Sequence, residues 1–138
     1  MFINNTHHQT ETELATIQWS DEDNIVRCRL KHHNFSNFEH IEGAVQTLRA
    51  ITHGRPCQLI VENVRPNHAS AEVRKFLNQH VHSIVEDLIF VVPSPLRLLV
   101  EFMARLVLPS SPLNLHFVSD LHAAFQLVKQ TETLKTTG

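Results

Sequence analysis

The longest apolar run in the chain extends from Leu88 to Leu108, and its interruptions predict a strand followed by a helix. Pro93 and Pro95 break the run early, whereas a membrane span needs about 20 consecutive apolar residues. Beyond the prolines, charged residues recur at every fourth position: Arg97, Glu101 and Arg105. This pattern predicts a buried strand over 88–93 and an amphipathic helix over 95–108 with one charged stripe.

Alternating and helical patterns divide the rest of the chain into further elements. They predict strands at 13–19 and 25–31, a helix at 38–51, a strand at 57–61, a helix from Ser70 to 84, a strand at 113–118 and a helix at 121–128. The complete order is β-β-α-β-α-β-α-β-α. We therefore expect an α/β fold with a mixed, mostly parallel sheet of about five strands and four helices.

The domain limits follow from the same pattern. Residues 12–130 are expected to form a single domain, because no linker or repeat interrupts the elements. The polar, aperiodic residues 1–11 and the Thr-rich and Lys-rich residues 131–138 are expected to be flexible tails.

Capping residues mark the ends of the predicted helices. Ser36 and Glu39 have the spacing of a capping box before the first helix, and Gly54 supplies a residue for a left-handed stop after it. Ser70 is a candidate N-cap for the second helix, and Ser119 or Asp120 for the last one.

Composition and charge exclude several classes of function. The formal net charge is −2, with no polybasic run, so nothing favours nucleic acid binding. Only three glycines occur, which excludes glycine-rich phosphate loops. Because no basic segment followed by an apolar one is seen at the N-terminus, we expect a cytoplasmic protein. Cys28 and Cys57 lie in apolar segments and are expected to be buried and reduced.

Residues that could perform chemistry do not form a known catalytic or metal-binding motif. Eleven histidines are present, but none belongs to H-E-x-x-H, and the cysteines do not form C-x-x-C. The serine nucleophile pattern G-x-S-x-G is also absent from the sequence. The carboxylates Glu86 and Asp87 are expected in a turn, exposed to solvent. The sequence thus predicts no catalytic residue, metal site or cofactor, and we expect a protein that is not an enzyme.

Four segments resemble a known family when taken in order. They are WSDEDNI at 19–25, SAEVRKF at 70–76, SPLR at 94–97 with Phe102, and PSSPLNLHFVS at 109–119. With the order of elements, they make the chain similar to the STAS fold of anti-anti-sigma factors. The likeness is closer to a group of small bacterial SpoIIAA-like proteins with no assigned activity, and it covers most of 13–130. It implies a non-enzymatic regulatory or protein-interaction module.

The resemblance also implies a candidate regulatory serine. In anti-anti-sigma factors a phosphorylatable serine begins the helix after the third strand, and Ser70 is the serine nearest that place. A helix N-terminus stabilises a phosphate, and Arg74 and Arg65 could add guanidinium groups. However, the Asp-Ser-Ser-Gly type of signature is replaced by Asn67-His68-Ala69-Ser70. A simple N-cap role for Ser70 is the alternative.

The 95–108 helix carries more apolar surface than packing on one sheet face requires. Apolar residues wrap well over half of its circumference, whereas such a helix needs a stripe of about 100°. The predicted surface for a partner or an apolar ligand comprises Leu99, Phe102, Met103 and Leu106. Coverage by the final helix together with a homodimer partner or a regulatory protein is one interpretation. The alternative is a small apolar or lipid-like ligand held between this helix and the sheet, as in a carrier or sensor.

Overall fold

A computed structural model of the chain describes residues 7–20, 24–31, 37–64, 69–107 and 114–128. The strands are β1 (His7–Glu11), β2 (Ala15–Ser20), β3 (Ile25–Leu30), β4 (Cys57–Glu62), β5 (Val85–Val91) and β6 (Asn114–Val118). The helices are α1 (Phe38–Thr52), α2 (Ala71–Ile84), α3 (Ser94–Val107) and α4 (121–128). The α/β class and the four helices expected from the sequence are confirmed.

All six strands form one mixed sheet in the order β1-β2-β3-β4-β5-β6. The pairs β1–β2 and β2–β3 are antiparallel, and the three following pairs are parallel. Each neighbour in the sheet is therefore also the next strand in the chain. The parallel pairs are connected through the helices α1, α2 and α3.

The prediction of about five strands was wrong by one, because β1 was not anticipated. His7–Glu11, assigned to a flexible tail, is an edge strand in register with Thr16–Ser20 of β2. Its sequence, HHQTE, has no apolar alternation, which explains the omission. The other tail residues, 1–6 and 131–138, lie outside the described part of the chain.

The two faces of the sheet are covered differently. Helices α1, α2 and α3 pack on one face, where Ile17, Cys28 and Leu88 belong to the main hydrophobic core. The other face carries a smaller core in which Ile60 and Ile89 pack with residues of α4. The final helix thus lies on the face opposite α3, and the expectation that it covers the surplus apolar surface of α3 was wrong.

The helix termini follow capping rules, with one correction. The N-cap of α1 is Asn37, whose Oδ1 accepts a hydrogen bond from the His40 backbone N–H at 3.2 Å. The predicted cap, Ser36, lies outside the described residues. After α1, His53 and Gly54 both have left-handed φ angles, 55° and 78°, which ends the helix.

The longest of the described helices, α1, has 15 residues, about 22 Å at 1.5 Å per residue, which is shorter than the hydrocarbon core of a bilayer. Among the residues that the structure describes, no helix is both long and apolar enough to cross a membrane.

Candidate functional site

An apolar cavity of about 180 Å³ lies between the sheet and the three helices that cover it. Strands β3, β4 and β5 form its floor, and α1, α2 and α3 form its walls. Most of the lining residues are buried, but Leu77 of α2, Phe90 of β5, and Met103 and Ala104 of α3 are only half-buried. The cavity therefore approaches the surface between α2 and α3.

The lining contains no side chain that forms strong hydrogen bonds. Every lining side chain is either a hydrocarbon or carries sulfur, as in Cys28 and Met103. Burial raises the pKa of the Cys28 thiol to about 12, and the nearby Glu62 carboxylate adds to this effect. The thiol consequently stays protonated at neutral pH, so it is a poor nucleophile and a poor metal ligand. This chemistry suits contact with apolar groups and does not support a reaction.

Helix α3 forms one wall of the cavity with its inner side and exposes apolar residues on its outer side. Val100, Met103 and Ala104 face the cavity. On the outside, Leu98, Leu99 and Phe102 are 82%, 51% and 61% exposed, and all other large hydrophobic side chains in the described part of the chain are at least half-buried. The side of a surface helix that faces away from the core is usually polar, so these three exposed apolar side chains form a candidate contact surface.

The structure divides the predicted apolar surface of this helix between its two sides. Leu99 and Phe102 are exposed, as expected for a surface that meets a partner. Met103 lies on the other side and lines the cavity, while the side chain of Leu106 is outside the description. Leu98, the most exposed of all, was not among the predicted residues. The helical periodicity could have predicted its exposure together with Phe102, because the two side chains are about 40° apart around the helix at about 100° per residue.

Two contacts hold the C-terminal half of α3. Arg105 forms an ion pair with Glu101, with 3.4 Å between Nε and Oε2. The same guanidinium lies 5.9 Å from the ring centroid of Phe117 in β6, and that ring stacks on Phe90 of the cavity lining. Of the predicted charged stripe, Arg105 thus contacts the edge strand β6 near the cavity. The stripe contains two arginines, Arg97 and Arg105, and Arg105 is the one that pairs with Glu101.

Ser70 is the N-cap of α2. Its Oγ accepts a hydrogen bond from the Val73 backbone N–H at 3.2 Å, so the predicted capping role is confirmed. Arg74 is exposed, and its backbone N–H donates to the Ser70 carbonyl at 2.9 Å. Arg65 lies outside the described residues. The preceding residue, Ala69, lines the cavity, which brings the start of α2 next to the apolar site.

The opposite face of the sheet carries a polar network over β1, β2, β3 and β4. Arg27 donates to both carboxylate oxygens of Glu62, and Gln18 donates to Gln9 at 2.7 Å. The hydrogen bond with Glu62 raises the pKa of Arg27, which keeps its guanidinium charged. A polar depression of about 200 Å³ lies over this network. Its groups largely satisfy one another, so we assign it a structural role.

A second polar cluster is buried on the same face, at the start of β5. Asp87 accepts hydrogen bonds from the side-chain amides of Gln58 and Asn114, each at 3.1 Å, and its Oδ1 is 3.6 Å from His116 Nε2. The expectation that Asp87 lies in an exposed turn was wrong, because the residue is 3% exposed within a strand. The cluster joins three adjacent parallel strands and thus helps to fix their register.

A cluster of metal-binding side chains or a similarity to known proteins would be a further indication of function. In the described ranges, no three His, Cys, Asp or Glu side chains lie together as a metal site would require. No family model, curated protein or solved structure matches the chain. The class of the protein is thus an α/β domain with a six-stranded mixed sheet, and its candidate site is the apolar cavity.

Proposed function

We propose that the protein is a carrier or sensor of a small apolar ligand, which it holds in the cavity between α3 and the sheet. The single observation that carries the proposal is the cavity itself, about 180 Å³ with an entirely apolar side-chain lining. An engineered apolar cavity of about 150 Å³ in another protein stays dry and binds benzene or xenon. A natural cavity of this size and character is therefore suited to an apolar guest.

Filling this apolar space would stabilise the protein. Lining atoms that face an unfilled gap have no partner atoms on that side and lose dispersion contacts. A ligand that fills the space restores the lost packing contacts, and its binding would thereby stabilise the folded state.

Native mass spectrometry of freshly purified protein tests this function. We expect a bound mass that is lost after extraction with an organic solvent. Back-titration of the extract should restore that mass and raise the melting temperature. A clean mass of the free chain, together with no thermal shift on adding the lipid extract of the native cell, would refute the proposal.

The second candidate function is a protein-interaction module, as the STAS resemblance implies. The observation that favours it is the exposure of Leu98, Leu99 and Phe102 on the outer side of α3. Burying these three side chains against a second copy or a regulatory protein would remove them from water. This function and ligand binding use different residues of the same helix and are compatible with each other.

Light scattering at high protein concentration tests self-association through α3. We expect the wild type to be dimeric and Leu98→Glu and Phe102→Glu to be soluble monomers. Gln79→Glu, an exposed change on α2, serves as the control and should remain dimeric. A monomeric wild type would exclude the homodimer and leave a different protein as the partner.

A phosphorylated Ser70 is the regulatory part of this second candidate. Phosphate at the start of α2 would meet the free backbone N–H groups of a helix N-terminus. We also propose that the protein is cytoplasmic. Phosphopeptide mapping of the protein isolated from the native cell should detect phosphorylated Ser70. If Ser70 is unmodified there, its role is limited to capping α2.

A further inference from the structure

We propose that the cavity selects a small hydrocarbon group without hydrogen-bonding atoms, and that Ala44, Ala69 and Ala104 set the size of that group. This inference rests on the proposed ligand-binding function and makes it specific. It names the chemical class of the bound group and the residues that determine specificity. It follows from the polarity of the lining, the volume of the cavity and the identity of its smallest residues.

The side chains that line the cavity determine how polar a guest can be. No lining side chain offers a hydroxyl, amide, carboxylate or ammonium group to a guest. The Cys28 thiol is a weak donor, and burial keeps it protonated. A hydroxyl or carboxylate carried into this space would lose its water without gaining a partner. We therefore expect the site to discriminate against a polar group by about tenfold or more.

The volume of the cavity limits the size of the group that it can hold. The cavity of about 180 Å³ slightly exceeds the cavity of about 150 Å³ that accommodates benzene in another protein, so it suits roughly six to ten non-hydrogen atoms. A long acyl chain would not fit inside. A larger molecule could bind only with its remainder emerging between α2 and α3, where Leu77 and Met103 are partly exposed.

Three alanines leave the space that the guest occupies. Ala44 on α1 and Ala69 before α2 are each 5% exposed, and Ala104 on α3 is half-buried. Most other lining positions carry valine, leucine, isoleucine or a larger side chain. A larger residue at any of these three positions would extend into the cavity. Ala44 and Ala69 thus limit the deep part, and Ala104 limits the side that approaches the surface.

The first experiment compares two probes of similar shape, toluene and phenol, on the 138-residue chain after extraction with an organic solvent. Binding is measured by calorimetry and by the shift in melting temperature. We expect toluene to bind at least about tenfold more tightly than phenol, because only phenol buries an unpaired hydroxyl. Equal binding of the two would overturn the inferred polarity and leave ligand binding itself intact.

The second experiment tests size with benzene, n-butylbenzene and n-octylbenzene. The wild type should bind n-butylbenzene most tightly. Ala44→Leu should weaken n-butylbenzene binding by about tenfold or more, retain benzene, and raise the melting temperature of the empty protein. Leucine is a good helix former, so α1 tolerates it. Ala50→Leu, at an exposed position of the same helix, is the matched control and should bind as the wild type does.

Ala104→Leu provides a second variant at a half-buried position in case Ala44→Leu fails to fold. If the folded variants bind n-butylbenzene as well as the wild type does, the assignment of the alanines is overturned while toluene binding upholds the proposed function. If the wild type binds none of the probes, both the inference and the proposed function fail.

Discussion

Arg27 on β3 and Glu62 on β4 form a two-pronged ion pair across a parallel strand pair. Nε and Nη2 of the guanidinium donate to the two carboxylate oxygens, with 3.0 Å between Nη2 and Oε1. Their side chains are only 24% and 13% exposed. The pair lies on the sheet face opposite the cavity, so its disruption should affect stability more than ligand binding.

Replacing Arg27 with methionine should destabilise the fold by about 1–3 kcal/mol, because the Glu62 carboxylate would lose its partner while partly buried. Urea denaturation measures the change. The neighbouring Arg29 is 58% exposed and 4.0 Å from Glu62, so Arg29→Met should cost less than about 0.5 kcal/mol. Equal effects of the two substitutions would contradict the assigned roles. Arg27→Met/Glu62→Leu should cost less than the sum of its single variants.

The two sides of α3 should respond differently to truncation. Val100 is 3% exposed, so Val100→Ala should reduce the free energy of unfolding by about 1–2 kcal/mol. Leu98 is 82% exposed, so Leu98→Ala should change it by less than about 0.5 kcal/mol. Urea denaturation of both variants at low protein concentration, where self-association is minimal, provides the measurement. A larger loss for Leu98→Ala would show that the outer side of α3 is buried in solution.

Ser70 should contribute to stability as a cap whether or not it is phosphorylated. Ser70→Ala removes the acceptor for the Val73 N–H and should cost about 0.5–2 kcal/mol. Ser70→Asp keeps an acceptor and adds a charge that the helix dipole favours, so its stability should stay close to that of the wild type. Thermal unfolding distinguishes the two variants. A Ser70→Ala protein as stable as the wild type would argue against the cap.

The buried thiols should make the fold less stable at high pH. Burial raises the pKa of both Cys28 and Cys57 to about 12, whereas an unfolded thiol titrates near 8.5. The stabilisation is therefore complete below about pH 8.5 and is lost as the pH rises toward 12, because only the unfolded chain releases these protons. Each thiol should contribute a loss of at most about 1.4 kcal/mol for each pH unit in this window.

Urea denaturation at pH 8 and at about pH 10.5 measures this loss. In the Cys28→Ala/Cys57→Ala variant the decline in stability should be smaller, although other groups also titrate there. If the decline equals that of the wild type, the thiols do not drive it.

Alternation in the sequence predicted β2 and β3 well, because side chains such as Ile17 and Cys28 face the core at every second position. It missed β1, whose five residues are all polar. That strand pairs through its backbone and through polar side-chain contacts, such as Glu11 with Thr16 at 2.5 Å. The sequence pattern also placed the next-to-last strand at 88–93, whereas β5 begins at Val85, directly after α2.

For the candidate site, the sequence predicted that α3 carries surplus apolar surface, but it could not divide that surface. Periodicity gives the angle between two side chains on a helix and does not give the direction of the sheet. Met103 and Phe102 are neighbours in the chain, yet Met103 faces the cavity while Phe102 is exposed. Only the packing of α3 against α2 and β6 separates them.

The sequence by itself determined the α/β class, most of the elements and the cap at Ser70, because these depend on interactions between residues close in the chain. The tertiary structure decided that α1, α2 and α3 share one face while α4 covers the other, since crossover geometry is a property of the whole sheet. The tertiary structure also determined where the cavity lies and how large it is. A void is bounded by residues far apart in sequence, such as Ala44, Leu59 and Met103, and no local pattern encodes the space that remains between them.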